Sequence, residues 1–204
     1  MTDRITRITA IPGSLRRESY NRSLAETAVE LAPPGMSVTV YGSLDTVPVF
    51  NEDLEQPPPP GVLRVREAVA SSDGLLIATP EYNQSVPGVV KNMIDWLSRS
   101  DGPGGLAGKP VVVTGVTTGP WGTRIAQTQL RQILTSTQAV VLPQPTLFLR
   151  DAETLFGADR SLTDETTRHR LHELLVSFDQ WIRLVSQVEP ADPGPTGLVH
   201  HSGG

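Results

Sequence analysis

The stretch Ile5-Thr6-Arg7-Ile8-Thr9-Ala10-Ile11-Pro12-Gly13-Ser14-Leu15-Arg16-Arg17-Glu18-Ser19-Tyr20-Asn21-Arg22-Ser23 decides the fold. Ile5 to Ile11 reads as a short apolar strand. A helix follows, with Leu24, Ala28, Val29 and Leu31 close to helical spacing and Pro33-Pro34-Gly35 ending it. Met36 to Tyr41, where Val38 and Val40 alternate with polar residues, reads as a second strand. A strand, a helix of this length and another strand form a crossover unit, which sets the two strands parallel. The loop between the first strand and the helix holds a glycine, several hydroxyls, an amide and up to three guanidinium groups. The first turn of a helix has backbone N–H groups without intrahelical partners and carries the positive end of the helix dipole, so an anion placed there is stabilised twice. Serine and asparagine add neutral donors, and Arg16 adds a charge-assisted, bidentate contact to phosphoryl oxygens. In chemical terms this is a phosphate cradle. It lacks a P-loop lysine and a Gly-x-Gly-x-x-Gly turn, which removes the two commonest nucleotide readings.

Working outward, Asp45 to Leu54 reads as an irregular loop, and Pro57 to Pro60 as an extended, non-helical link into a helix over Val62 to Ala70. Gly74-Leu75-Leu76-Ile77-Ala78 is apolar on both faces, as expected of a central parallel strand covered by helices on both sides. Its exit loop, Thr79 to Gly88, leads into a helix with Val89, Val90, Met93, Ile94 and Leu97 on one face. After a flexible tip at Gly102 to Gly105, Val111 to Gly115 is another doubly apolar strand. Val116 to Thr123 is its exit loop, and a helix over about Arg124 to Thr135 buries Ile125, Leu130, Ile133 and Leu134. Ala139 to Leu142 reads as the fifth strand, followed by an extended Thr146 to Leu149. The last helix carries Leu171, Leu174, Leu175, Phe178, Ile182 and Val185, with Thr163 or Asp164 as its cap. Residues 1–188 thus form a single domain, and the Pro, Gly and small polar residues of 189–204 read as a disordered tail. The pattern defines an open α/β sandwich with three polar loops at successive strand ends. It does not define the strand order.

At 204 residues the chain can bury a sizeable core without covalent staples. It has no cysteine, which excludes disulfides, thiolate metal sites and cysteine nucleophiles. A net charge of −5 without a basic stripe speaks against nucleic-acid binding. No run of eighteen apolar residues and no leader-like segment is present, so the reading is a cytoplasmic protein with no membrane partner. His200 and His201 sit in the polar tail without further ligands, so no metal site is expected.

Plainer roles compete for several residues. Ser14 and Asn21 serve as helix caps when taken singly, Arg17 and Arg22 read as surface charges, and Glu81-Tyr82 as an ordinary strand-end turn. Trp96 and Trp181 read as packing aromatics, while Trp121 is evenly divided between packing and a site. Lys91 and Asp95, four apart on a helix, read as a weak surface ion pair.

Gly13-Ser14-Leu15-Arg16 with Ser19 and Asn21, Pro80-Glu81-Tyr82-Asn83, and Ser85-Val86-Pro87-Gly88 through Ser98-Arg99 together resemble the NADPH-dependent FMN reductase family. Gly108-Lys109-Pro110, Gly122-Thr123, Ala126-Gln127 and Leu130-Arg131 are similar to it as well, so the resemblance spans about Ile5 to Leu142. It implies a flavodoxin-like three-layer sandwich, with a five-stranded parallel sheet and helices on both faces. It further implies that Ser14, Arg16, Ser19 and Asn21 hold the ribityl phosphate of FMN, with Leu15 lending its backbone. Pro80, Glu81, Tyr82 and Asn83 would line the isoalloxazine, largely through main-chain groups, and Thr117, Thr118 and Gly119 would close the other flank. The implied activity is transfer of a hydride from NADPH or NADH to FMN and on to a small-molecule electron acceptor such as a quinone. The flavin carries that chemistry, so no catalytic side chain is required. The family implies a homodimer or homotetramer, with the helix from Gly88 to Arg99 as a candidate contact. Two departures stand near the open flavin face: Gln84, where the family often has a glycine or an aromatic, and Pro120, where it often has a charge. Two other classes stay open beside this one, a flavodoxin-like electron carrier without nicotinamide chemistry and a glycosyl-transferring enzyme using Glu81 as its carboxylate.

Overall fold

The computed structural model describes residues 4–100, 102 and 104–187. The tail at 189–204, His200 and His201, the first three residues and part of the Gly102 to Gly105 segment lie outside them. Of the expected flexible tip, Gly102 is exposed, whereas Gly104 and Gly105 are buried, the former where a side chain would meet Arg66.

In chain order the elements are β1 (Thr6–Pro12), α1 (Tyr20–Glu30), β2 (Met36–Val40), α2 (Pro60–Ala70), β3 (Gly74–Ala78), α3 (Gly88–Leu97), β4 (Pro110–Val116), α4 (Arg124–Ser136), β5 (Val140–Val141), β6 (Leu147–Leu149), α5 (Ala152–Leu155) and α6 (Glu165–Val185). All pairings between these strands are parallel and the order is β2-β1-β3-β4-β5, with β6 also against β4. The fifth position is therefore divided. β5 pairs with Pro110–Val111 of β4, the prolines at 143 and 145 interrupt the ladder, and β6 resumes it against Thr114–Val116. A proline cannot donate to a ladder, so the expected fifth strand is cut short at Val141 and the expected extended segment after the prolines pairs as a separate sixth strand.

Strand periodicity builds the layers. Ile8, Ala10, Leu76 and Val112 point to one face and join Leu24 and Ala28 of α1 and Leu171, Leu174, Leu175 and Phe178 of α6. Ile11, Leu75, Ile77, Val111 and Val113 point to the other and join residues of α2, α3 and α4. These are the two apolar contact sets of a three-layer sandwich, and both are needed because β3 and β4 are buried along their whole length. Trp96 is fully buried, with its indole N–H donating to the Pro48 carbonyl at 2.8 Å. The Trp181 N–H donates to Val140 at 3.1 Å. Both tryptophans pack as expected. So does Lys91–Asp95, an exposed pair at 2.6 Å.

Three sequence expectations need correction. Pro60 is helical: it starts α2, where its missing N–H is one that the first turn leaves unpaired anyway. Val29 and Ile125, expected in the core, are exposed. Val29 follows Ala28 and so lies about 100° round the helix from the buried face, and Ile125 sits on the first turn of α4, just before the buried Ala126 and Gln127. Asp164 does cap α6, accepting a hydrogen bond from the Thr167 N–H at 2.7 Å.

Candidate active site

The order β2-β1-β3-β4-β5 places a topological switch point at the carboxyl ends of β1 and β3, because the chain leaves β1 for β2 on one side and returns to β3 on the other. The loop after β1 and the loop after β3 meet there. The Gly13 N–H donates to the Ala78 carbonyl at 2.8 Å, and the Ser14 and Tyr82 hydroxyls share a hydrogen bond at 3.1 Å. A side chain at Gly13 would stand 2.6 Å from Val90 of α3, so this approach needs glycine.

Between Gly13 and Arg22, and among the described residues, only one backbone N–H has an intramolecular acceptor: Arg16 donates to the Ser14 Oγ at 3.3 Å. The other N–H groups of this turn are free to face an anion, and the loop flows directly into the N-terminus of α1. Ser14 is buried, whereas Leu15 and Arg16 are exposed on the rim. Ser19 is the cap of α1, accepting from the Arg22 N–H, a role expected of Ser14 or Asn21. Its own hydroxyl proton remains available to an acceptor.

Asn21 corrects the sequence reading. It is almost fully buried and turned away from the loop: its Nδ2 donates to the Val116 carbonyl at 2.8 Å and its Oδ1 accepts from the Val116 N–H at 3.0 Å. β3 ends in register at Ala78 against Thr114, so Val116 has no strand partner on that side. The carboxamide of Asn21 takes the place of the missing strand and ties the start of α1 to the exit of β4.

The second loop is a tight turn. Tyr82 and Ser85 exchange backbone hydrogen bonds at 3.0 and 3.2 Å, and Asn83 and Gln84 between them both have positive φ, 51° and 57°. Asparagine tolerates that conformation and glutamine does not. Gln129 of α4, which the sequence reading passed over, braces the turn. Its Oε1 accepts from the Ser85 hydroxyl at 2.9 Å, and its Nε2 donates to the Gln84 carbonyl at 3.3 Å. The signal was faint, a polar residue beside Leu130. Glu81 is half-buried, and its Oε2 accepts from the Ile125 and Ala126 N–H groups, both at 2.9 Å. It therefore caps α4 from outside the helix, where Thr123 makes no side-chain cap. A carboxylate so occupied is ill placed as a glycosyl nucleophile.

The third loop starts at Thr117, whose N–H donates to Leu149 at 3.1 Å and whose Oγ1 accepts from Gly119 at 3.2 Å. Its carbonyl receives the Ala152 N–H, fastening the loop to α5. Thr118 is exposed beside it. Among the described residues no group of three or more His, Cys, Asp or Glu is placed to hold a metal ion, and no helix is long and apolar enough to cross a membrane.

A parallel sheet in this order, with a donor-rich turn at its switch point and a second polar loop hydrogen-bonded to it, defines the flavodoxin-like class. Within that class the chain belongs to the NADPH-dependent FMN reductase family, whose sequence pattern matches residues 6–154. It is 39% identical over 185 residues to an NAD(P)H-dependent FMN reductase of Pseudomonas aeruginosa, covering 90% of this chain and 98% of that one. It is 35% identical over 177 residues to a 2-hydroxy-1,4-benzoquinone reductase of a Burkholderia species, covering 87% and 96%. The solved structure of FerB, a flavoenzyme NAD(P)H:(acceptor) oxidoreductase from Paracoccus denitrificans, superposes with a TM-score of 0.80 at 33% identity, covering 88% of this chain and 98% of that chain. The chain is thus an oxidoreductase of the FMN reductase type, with FMN and a nicotinamide nucleotide as its cofactors.

Proposed function

We propose that this protein takes a hydride from NADPH or NADH onto FMN held at the β1/β3 switch point and passes the electrons to a small quinone-like acceptor. The observation that supports the site most directly is the turn between Gly13 and Asn21, where among the described residues no backbone N–H but that of Arg16 has a protein acceptor and which lies one hydrogen bond from the Tyr82 loop. That donor set fits a phosphate monoester. The Ser14 and Ser19 hydroxyls, the free N–H groups and the Arg16 guanidinium bind it, and Asn21 acts as a positioning residue through Val116. Pro80 to Asn83 and Thr117 to Gly119 form the two walls for a flat ring, presenting mainly backbone groups. When bound, FMN supplies the hydride and electron chemistry. The chain's part is to bind it, to orient the ring and to leave one face open to donor and acceptor. Glu81, engaged with α4, holds the ring wall in place and moves no proton.

The protein works in the cytoplasm as a homodimer or homotetramer in this reading, with α3 a candidate contact and no nucleic-acid partner. The experiment is the absorbance spectrum of protein reconstituted with FMN. A bound-flavin spectrum that bleaches anaerobically on NADPH and returns on adding a quinone supports the reading; protein that retains no flavin and oxidises no nicotinamide overturns it. Arg16→Ala is expected to weaken FMN by ~1.5–3 kcal/mol through loss of a charge-assisted contact, read by flavin fluorescence titration.

A further inference from the structure

Between α5 and α6 the chain makes a tight loop, closed by an antiparallel bridge between Phe156 and Leu162. These two residues are 6% and 2% exposed, so the base of the loop is fixed in the core. Above it the Gly157 N–H donates to the Ser161 carbonyl at 2.9 Å and the Arg160 N–H to the Gly157 carbonyl at 3.0 Å, while the Asp159 carboxylate accepts from the Ser161 hydroxyl at 2.7 Å. Arg160 stands in this loop with a φ of 68°, a left-handed conformation that glycine adopts freely and that strains a residue with a Cβ. Strain kept at one residue points to its side chain. The Arg160 Nη2 donates to the Glu18 Oε2 at 3.1 Å, and its guanidinium carbon lies 4.4 Å from the centre of the Tyr20 ring, which itself packs 5.1 Å from the Phe156 ring. Glu18 and Tyr20 flank Ser19, the buried cap of α1 at the end of the phosphate turn. Arg160 lies beyond residues 6–154, the part of the chain that the family's sequence pattern matches.

We propose that Arg160 is a positioning residue for the flavin phosphate: it clamps the turn on both sides of Ser19 and cancels the Glu18 charge beside it, an inference that rests on the FMN reading above. From Ser14 to Ser19 only the Arg16 N–H, among the described residues, has a protein acceptor, so the empty turn has few hydrogen bonds of its own to keep its donors in one direction. A clamp anchored in the core fixes that direction before the ligand arrives, which lowers the ordering cost of binding. The charges act in the same sense. An unpaired Glu18 carboxylate, one residue from Ser19, repels a phosphate dianion, and the guanidinium neutralises it. The Glu18 side chain is 69% exposed, so the ion pair is weak and the stacking on Tyr20 carries much of the hold. Both effects act on the phosphate end of the flavin and neither on its ring.

The test compares FMN with riboflavin, which has the same ring and ribityl chain but no phosphate, by fluorescence titration of flavin-free wild type, Arg160→Gly, Arg160→Lys and the double variant Glu18→Gln/Arg160→Gly. Arg160→Gly is expected to weaken FMN ~three- to tenfold, the combined worth of a surface ion pair and a cation–π contact, and to leave riboflavin unaltered. Arg160→Lys keeps the charge and recovers part of the loss, and the double variant recovers part of it by removing the repulsion. Glycine relieves the left-handed φ, so the melting temperature of flavin-free Arg160→Gly stays near that of wild type, and a loss of positioning is told apart from a loss of fold. Hydrogen exchange of the flavin-free proteins, read by mass spectrometry over residues 13–20, quickens in Arg160→Gly. FMN affinity in Arg160→Gly within about twofold of wild type, or an equal loss for both flavins, overturns the proposal. Wild-type protein that binds neither flavin, while exchange over the turn quickens in Arg160→Gly, upholds the clamp and removes the FMN reading instead.

Discussion

Replacing Asn21 by alanine separates the role that the sequence assigns to it from the role that the structure gives it. Its carboxamide exchanges two hydrogen bonds with Val116, at 2.8 and 3.0 Å, and Asn21 and Val116 are 3% and 1% exposed. Alanine removes two bonds worth about 1 kcal/mol each and leaves the Val116 N–H and C=O buried without partners, so the total is roughly 2–4 kcal/mol. In a domain of this size each kcal/mol moves the melting temperature by about 2–4 °C. A fall of about 6–12 °C is therefore expected for a loss near 3 kcal/mol. The loss must appear in the FMN-free protein, because nothing in the bond pair involves a ligand. Asn21→Asp sharpens the test. It keeps an acceptor for the Val116 N–H but sets a carboxylate against the Val116 carbonyl, which raises the folded pKa of the new carboxyl above its unfolded value. A raised carboxyl pKa makes the variant gain stability as pH falls through that value, whereas Asn21→Ala shows no such recovery. The assay is circular-dichroism melting of FMN-free protein across pH, run beside flavin fluorescence titration. A FMN-free Asn21→Ala protein melting within about 2 °C of wild type, with FMN affinity sharply reduced, would refute the clamp and restore Asn21 as a phosphate ligand.

Glu81→Ala should destabilise the FMN-free protein by about 1 kcal/mol, as loss of a cap facing two N–H groups does; Glu81→Gln, which keeps the acceptor, should lose less, and urea midpoints compare them. Gln84→Gly should stabilise the protein by ~0.5–1 kcal/mol, read as a higher urea midpoint, because a left-handed φ strains glutamine more than glycine gives up in chain entropy. Hydrogen bonds from Thr167 hold the Asp164 carboxyl below the usual range. A depressed pKa contributes stability that is present at neutral pH and lost as pH falls through the folded value, below about 4. The gap in melting temperature between wild type and Asp164→Asn should accordingly narrow between neutral and acid pH, and a constant gap would contradict the charged cap.

Much of the fold was legible because its signals are local. The doubly apolar runs Leu75 to Ile77 and Val111 to Val113 demanded helices on both faces, and the Ser19 to Glu30 stretch demanded a crossover. The strand order was not legible, because it depends on which strand edges pair, and burial patterns mark faces rather than edges. The exposure of Val29 and Ile125 shows the limit of periodicity alone: helical spacing marks a face, and tertiary packing decides which positions on it are covered. The prolines at 143 and 145 were visible, yet a split fifth ladder position follows only from the register of β4 against two separate pieces.

At the site, residue types were legible and directions were not. A serine, an asparagine and a glutamate beside a phosphate loop can each face the ligand or the protein, and composition is the same in both cases. The physical arbiter is the unpaired backbone left by the fold. Where β3 stops short, Val116 needs a partner, and Asn21 is drawn inward; where α4 starts without a cap of its own, Glu81 is drawn across to it. From Ser14 to Ser19 only the Arg16 N–H, among the described residues, has a protein acceptor, and the other backbone donors are left over. The parallel sheet thus sorts its own polar residues: those that can mend a strand end or a helix end become scaffold, and the donors left over mark the proposed anion site. This predicts that removing scaffold residues lowers the stability of the empty protein first, whereas removing Arg16 lowers FMN affinity while leaving the melting temperature of the empty protein in place.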